Sequence, residues 1–561
     1  MPLPHDSTLV DALRATATAF PTRGFTYPAQ QAFLGYEELL VRSEAVARRL
    51  RARGLPQGRL VGLLLHTSPH FITSFFGIQR AGGIPVPLAL SAGRELAGHL
   101  QRLAPILRDG AIQWLVMEPS LLGPEGERSP EGLTLLSSEL LAAEGGGPEG
   151  PAPIDPAPED VAFIQYTSGS TSVPKGVTIT HANAIAALRS IVASGGFHSG
   201  DVFCGWLPHF HDMGLVGILL VSLFNGCQAH LWSPFSFIKN PADWMAYFSR
   251  VKATIYTGPN FSYAYLCDAL TPDDVAALDL STVRLAVNGA EAVDARLMER
   301  FAHKFAPAGL RPAALYPVYG LAEVVLAATF PEVGEPVHVD WVDRAALGND
   351  RQVVRVDRAA TGARGVVALG RPVAGLELYI AGAQGDPLGE DQVGEVRLRG
   401  DAVMRGYHNN PTLTAELIQN GWLRTGDLGY VKDGRLYIAG RSKEVLKQAG
   451  GSYYPEDIEA VVRGLPGVHR GGCVAFVGGP LGEERIICLA ETERTDPEAL
   501  EDLAQDIGKA VRRGIGLANL DIRLVRRGAI ARTTSGKLKR YAMKHQIQDP
   551  TDKSLRYQLR L

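Results

Sequence analysis

The sequence predicts an α/β protein in which helices cover parallel sheets, followed by a β-rich stretch and a small C-terminal α/β unit. Two observations carry this reading. Segments of helical period alternate with short continuous apolar runs through the first part of the chain. The length of 561 residues is too great for one ordinary domain and ample for a large buried core.

The elements follow in order. Leu39, Val46 and Leu50, with Leu40 and Ala47 beside them, form one helical face. Residues 60–65 are a continuous apolar strand, Phe71, Phe75 and Ile78 make a second helical face, and residues 84–88 read as a strand. Leu96, Leu100, Leu103 and Leu107 recur at helical spacing before a strand at 113–117. Residues 122–158, rich in Gly, Pro and Glu, read as a solvated connection rather than core. Residues 161–166 and 177–180 are strand-like, and 181–194 is a helix with Ala184, Ala187, Leu188 and Ile191 on one side. Further on, residues 394–400 belong to the β-rich part. Strands at 473–477, 486–491 and 522–525 with a helix at 500–511 make the small final unit.

Composition excludes several function classes. The chain carries 56 Lys and Arg against 59 Asp and Glu, a net charge of −3, with no long basic block. Neither nucleic acid nor an anionic membrane surface is implied. Cys204, Cys227, Cys267, Cys473 and Cys488 are widely spaced, odd in number and lack a CxxC pair. A disulfide framework or zinc site is not expected, and a reducing cytosol is the natural setting. Residues 1–6 lack a charged lead and apolar core, and runs such as 213–224 are too short and glycine-broken to span a bilayer. The expectation is a cytoplasmic protein without a transmembrane segment.

The stretch with the most chemistry is Tyr166-Thr167-Ser168-Gly169-Ser170-Thr171-Ser172-Val173-Pro174-Lys175-Gly176. Its glycines let backbone approach a bulky anion, its hydroxyls and N–H groups supply donors, and Lys175 adds a mobile charge. A polyphosphate suits such a loop. It is not the Walker type, because Lys175 precedes Gly176 and a β-rich run follows instead of a helix.

The loop resembles the phosphate loop of the adenylate-forming superfamily, which includes acyl-CoA synthetases, luciferases, peptide-synthetase adenylation domains and fatty acyl-AMP ligases. The segment Trp206-Leu207-Pro208-His209-Phe210-His211-Asp212-Met213-Gly214-Leu215 is similar to fatty acyl-AMP ligases in particular. Residues 233–244 resemble them too, although Asn240 stands where those ligases usually carry arginine. Resemblance extends over nearly the whole chain, from Thr8 to Lys537.

The resemblance implies the adenylate-forming fold, with residues 1–440 as an adenylation domain and 441–561 as a mobile lid. It places Thr167, Ser168, Gly169, Ser170, Thr171 and Lys175 on the ATP phosphates. Asn288, Gly289, Ala290 and Glu291 would hold one face of adenine, Tyr319 would stack on it, and Gly320, Leu321 and Ala322 would complete the turn. Glu323 would hold Mg²⁺, Asp427 the ribose hydroxyls, and Arg441 the ribose or α-phosphate. Lys443 matches the hinge. His211, Asp212, Met213, Gly214 and Phe261 would face the fatty acid, with Tyr263 and Leu266 also available to line an acyl tunnel. Plain core packing explains those last residues equally well.

Lys537, in Ser535-Gly536-Lys537, matches the mobile catalytic lysine, while Ala531-Arg532-Thr533 departs from the usual Pro-Lys-Thr. The interval from Glu323 to Gly370 is longer than in most superfamily members. Its excess, roughly 336–362, looks like the insertion of fatty acyl-AMP ligases, and His338 to Val342 alternates like a short strand. The implied reaction uses ATP and Mg²⁺ to adenylate a medium- or long-chain fatty acid, then loads a separate acyl carrier protein. Its rivals are a fatty acyl-CoA synthetase and a non-catalytic adenylate- and lipid-binding regulator.

Overall fold

The computed structural model describes residues 4, 6–90, 95–122, 132–142, 150–167, 174–448, 451–469, 472–479, 484–532, 538–546 and 554–561. A seven-stranded sheet runs in the spatial order Leu315–Pro317, Leu285–Asn288, Ile255–Gly258, Val202–Gly205, Gln228–Leu231, Gly24–Tyr27 and Ala32–Gly35. The first six strands in that order are parallel, and Ala32–Gly35 closes the edge antiparallel. Register sets Gly258 against Asn288 and Asn288 against Pro317, so the carboxyl ends of these strands share one edge. Parallel α/β sheets bind ligands at that edge.

A second, four-stranded parallel sheet orders Ile84–Pro87, Leu60–Leu64, Trp114–Met117 and Thr134–Ser137. Its last strand and the helix Ser138–Ala142 lie inside the segment expected to be a solvated connection. Leu135, Leu136 and Leu141 are buried. The Gly, Pro and Glu content of the whole segment masks a short leucine run, and that run completes a sheet edge already made by other strands.

The hydroxyl-rich stretch joins two antiparallel strands, Val161–Thr167 and Lys175–Thr180, with Thr167 paired to Lys175. Residues 168–173 lie outside the described residues. Gly406–Tyr407 pairs with the outgoing strand. The helix His181–Gly195 follows directly, started by a reciprocal cap between Thr180 and Asn183. Asn183 also donates to the carbonyls of Asp401 and Val403 at 2.8 and 2.9 Å, tying the hairpin to the β-rich part.

That part is an antiparallel sheet of Leu376–Ala381, Gly394–Gly400, Trp422–Lys432, Ile418–Gln419 and Arg435–Arg441. Beside it, Val339–Asp343 pairs with Ala363–Val367, so the alternating stretch from His338 to Val342 does form a strand. Buried Asp340 accepts from Arg355, Tyr430 and Lys432, each at 3.1 Å. The C-terminal unit has its own core beneath Cys473–Gly478, Arg485–Thr492, Asp521–Arg526 and Leu555–Arg560, covered by Pro455–Arg463 and Pro497–Ile515. All five cysteines are buried and free. Among the described residues, no helix is long and apolar enough to cross a membrane.

Two buried histidines make the fold acid-sensitive. His181 Nδ1 accepts from the backbone N–H of Leu9 at 3.2 Å, and His209 packs its ring 4.9 Å from Phe71. Burial pushes their pKa values down from 6.5 to about 4 and about 3 respectively. Below pH 6.5 the unfolded chain takes up protons that the native chain refuses, so stability falls as pH drops toward 4. Each histidine contributes a slope of about 1.4 kcal/mol per pH unit. Calorimetric Tm measured from pH 7 to pH 4 should therefore fall less steeply for His181→Gln than for the natural chain; parallel profiles would contradict this.

Candidate active site

One cleft of about 2140 Å³ collects residues from the sheet edge, the hairpin, the β-rich part and the C-terminal unit. Thr167, Lys175, His211, Asp212, Met213, Ala290, Glu291, Tyr319, Gly320, Leu321, Ala322, Glu323, Asp427, Arg441 and Lys443 all line it. Ser168, Gly169, Ser170, Thr171 and Lys537 lie outside the described residues, although Leu538 and Lys539 line the cleft.

Six expected residues stand elsewhere. Asn288 is fully buried behind the cleft, donating to Asn260 Oδ1 at 2.9 Å and receiving Val318 N–H on its carbonyl at 2.8 Å. Gly289 packs against Val318, and Gly214 packs against the Pro208 carbonyl. These three hold the walls in place rather than form them. Phe261 is 37% exposed and meets Trp206 edge-on, while its neighbour Asn260 lines the cleft. Tyr263 and Leu266 are fully buried core residues.

One part of the cleft is built around Asp427. Its Oδ2 accepts from the Tyr319 hydroxyl at 2.6 Å, and its Oδ1 from Arg441 Nε at 2.8 Å. Thr425 Oγ1 accepts from the Asp427 N–H at 3.1 Å and donates to the Val396 carbonyl at 2.8 Å, fixing the turn. Burial, then the Asp427 charge, raises the Tyr319 pKa far above the tyrosine range, so Tyr319 stays a donor. Gly320 is required at its position, because a Cβ there would stand 1.9 Å from the Leu326 carbonyl oxygen.

The middle of the cleft is cationic. Lys175 Nζ sits 5.5 Å from the centre of the Tyr407 ring and has no carboxylate partner among the described residues. Burial and the neighbouring charge of Lys443 lower its pKa, while Glu323 and Glu416 partly offset this. Like charges gathered without a paired carboxylate favour a polyanion between them. Tyr407, to which the sequence reading gave no role, donates its hydroxyl to Glu323 Oε1 at 2.6 Å. Its only sequence signal is the Gly406-Tyr407 pair.

His211 Nδ1 stands 2.6 Å from Asp212 Oδ1, and the carbonyl of Phe210 accepts from Gln165 of the hairpin. These contacts fix the segment that carries the imidazole, and His211 lines the cleft beside Met213. At the other side, Arg540 reaches Glu444 at 2.7 Å, Glu456 at 3.2 Å and Glu459 at 2.9 Å. The segment just after Lys537 is thus tied to the residue just after Lys443.

Pyrophosphate is a direct probe of the cationic middle. Lys175→Met should weaken its binding about tenfold or more at low salt, the order of one charge-assisted hydrogen bond, with the gap narrowing as salt rises. Equal affinities by titration calorimetry would contradict this.

The family model described as AMP-binding enzyme matches residues 13–408. Medium-chain-fatty-acid acyl-carrier-protein ligase JamA of Moorena producens is 32% identical, covering 98% of this chain and 97% of its own. A 4-hydroxyphenylalkanoate adenylyltransferase of Mycobacterium tuberculosis is 30% identical over 96% of this chain and 91% of its own. A solved structure from work on fatty acyl-adenylate ligases of E. coli and L. pneumophila superposes with a TM-score of 0.89 at 32% identity. It covers 98% of this chain and 99% of its own. The chain belongs to the AMP-binding enzyme family, and fatty acyl-adenylate ligases are among the members it matches over its whole length.

Proposed function

We propose that the chain activates a medium- or long-chain fatty acid as its acyl-adenylate and passes the acyl group to the phosphopantetheine thiol of a separate acyl carrier protein. One observation carries this reading: a single cleft is lined by Tyr319 and Asp427, by the cations Lys175, Lys443 and Arg441, and by the apolar side chains of Met213, Ile191, Phe197, Leu326 and Phe330. Those three sets of groups suit a nucleoside, its phosphates and an alkyl tail respectively.

In the first step a carboxylate oxygen of the fatty acid attacks the α-phosphorus of ATP, and the bond to pyrophosphate breaks. Both partners are anions, so the protein contributes alignment and charge neutralisation rather than a covalent nucleophile. Asp427 accepts the ribose hydroxyls, Tyr319 stacks on adenine, and Lys175 with the loop donors offsets charge on the leaving phosphates. The Glu323 carboxylate, with one oxygen on Tyr407, is a hard oxygen donor suited to Mg²⁺, which when bound neutralises phosphate charge. Lys537 is assigned the acyl carboxylate and α-phosphate. In the second step the thiol sulfur attacks the acyl carbonyl, AMP departs, and the thiol proton is released.

Residues 1–440 form the adenylation domain in this reading and 441–561 a lid that turns at Lys443. Transfer to a carrier rather than to coenzyme A is supported by the extra segment 336–362. Arg344 and Arg364 reach Asp457 of the lid at 3.4 and 3.1 Å, and Asn349 accepts from the Ser452 N–H at 2.7 Å. The Arg344 and Asn349 contacts hold the lid against the segment, and Arg364 adds one from the strand that follows it.

ATP–pyrophosphate exchange tests the first step. It should require a fatty acid, and Lys537→Ala should lower the rate by about 10²–10³. Near-normal exchange by that variant would remove Lys537 from its role.

A further inference from the structure

The apolar limb has an uncommon opening. The run Met213 to Phe224 is buried throughout except at Gly217, which retains accessible surface in the middle of a helix. There the helix changes from α to a π-type turn over Leu215–Leu220 and back. Such turns re-aim a helix face and recur at functional sites. A Cβ on Gly217 would meet only the Leu326 side chain, at 3.1 Å, and otherwise project into open space. Gly217 and Leu326 line the cleft, and so do Ile191, Phe197 and Phe330.

The aromatic walls of this limb are braced. Phe197 stacks on Phe203 with centroids 5.8 Å apart and lies 5.7 Å below the Arg284 guanidinium. Arg284 is itself held by Asp201, whose side chain is fully buried, at 2.7 Å. Phe330 meets Tyr316 edge-on at 5.5 Å. The Arg284 charge beside Phe197 is already engaged by Asp201, so a polar tail reaching Phe197 would find that group taken and lose its hydration.

We propose that Gly217 is the specificity-determining position of the acyl limb, a proposal that rests on the acyl-activation reading. Its missing side chain, opposite Leu326, keeps open the passage to the chamber lined by Ile191, Phe197 and Phe330. The chamber takes a straight alkyl tail without polar substituents, and Phe197 stops it.

The test is fatty-acid-dependent ATP–pyrophosphate exchange over straight-chain acids from butanoate to hexadecanoate, with 4-hydroxyphenylbutanoate alongside. Gly217→Leu should lower kcat/KM for dodecanoate at least about tenfold and leave butanoate within about threefold. Adding Leu326→Ala to it should recover the long acids. The natural chain should prefer decanoate to 4-hydroxyphenylbutanoate. Equal change at every length, or none, with exchange intact in the natural chain, would overturn the assignment of Gly217. So would preference for the hydroxyphenyl acid. Absence of exchange with every acid by the natural chain would overturn the acyl-activation reading itself. If Gly217→Leu does not fold, Leu326→Ala alone should admit methyl-branched acids, and an unchanged profile would overturn the proposal.

Discussion

The buried carboxylate of Asp427 is the constraint around which the rest of the cleft is arranged. A buried charge persists only when it is paired and hydrogen-bonded. Here the donors come from two distant segments: Tyr319 follows the end of the seven-stranded sheet, and Arg441 ends the last β-rich strand. Satisfying one carboxylate therefore fixes the sheet edge against the strand that leads to Lys443. The antiparallel register supports the same geometry by setting Asp427 opposite Arg441.

The same device recurs where the extra segment meets its neighbours. Asp340 gathers Arg355, Lys432 and Tyr430, joining the segment to the β-rich sheet. Asp457 gathers Arg344 and Arg364, joining it to the C-terminal unit. Removing one partner from such a pair leaves a charge in a dry site, which costs more than the pair itself contributes. The two clusters make the segment a strut between parts, a role that a surface loop without buried charge would not have.

Much of this was legible in the sequence because it depends on local pattern. Alternating periods gave the parallel sheets, and the strand after Gly176 distinguished the hairpin from a strand-to-helix phosphate loop. The Tyr319 to Glu323 run and Asp427 were recognisable because several motifs agreed with one another. What escaped depends on contacts across long separations. Tyr407 meets Glu323 from 84 positions away, and nothing near either residue announces it. The strand Thr134–Ser137 was hidden by the composition around it. Phe261 looked like tunnel lining because aromatic character alone does not say which way a helix turns. Gly217 was invisible as an opening because a π-type turn changes the helical period on which face assignment relies.

The central claim is that the adenylate made here is destined for a carrier thiol. Incubating the protein with ATP, Mg²⁺, dodecanoate and coenzyme A, with and without a phosphopantetheinylated carrier protein, and weighing the products by mass tests it most directly. The account predicts acyl-AMP with coenzyme A alone and an acylated carrier when the carrier is present. Efficient acyl-CoA formation would contradict it.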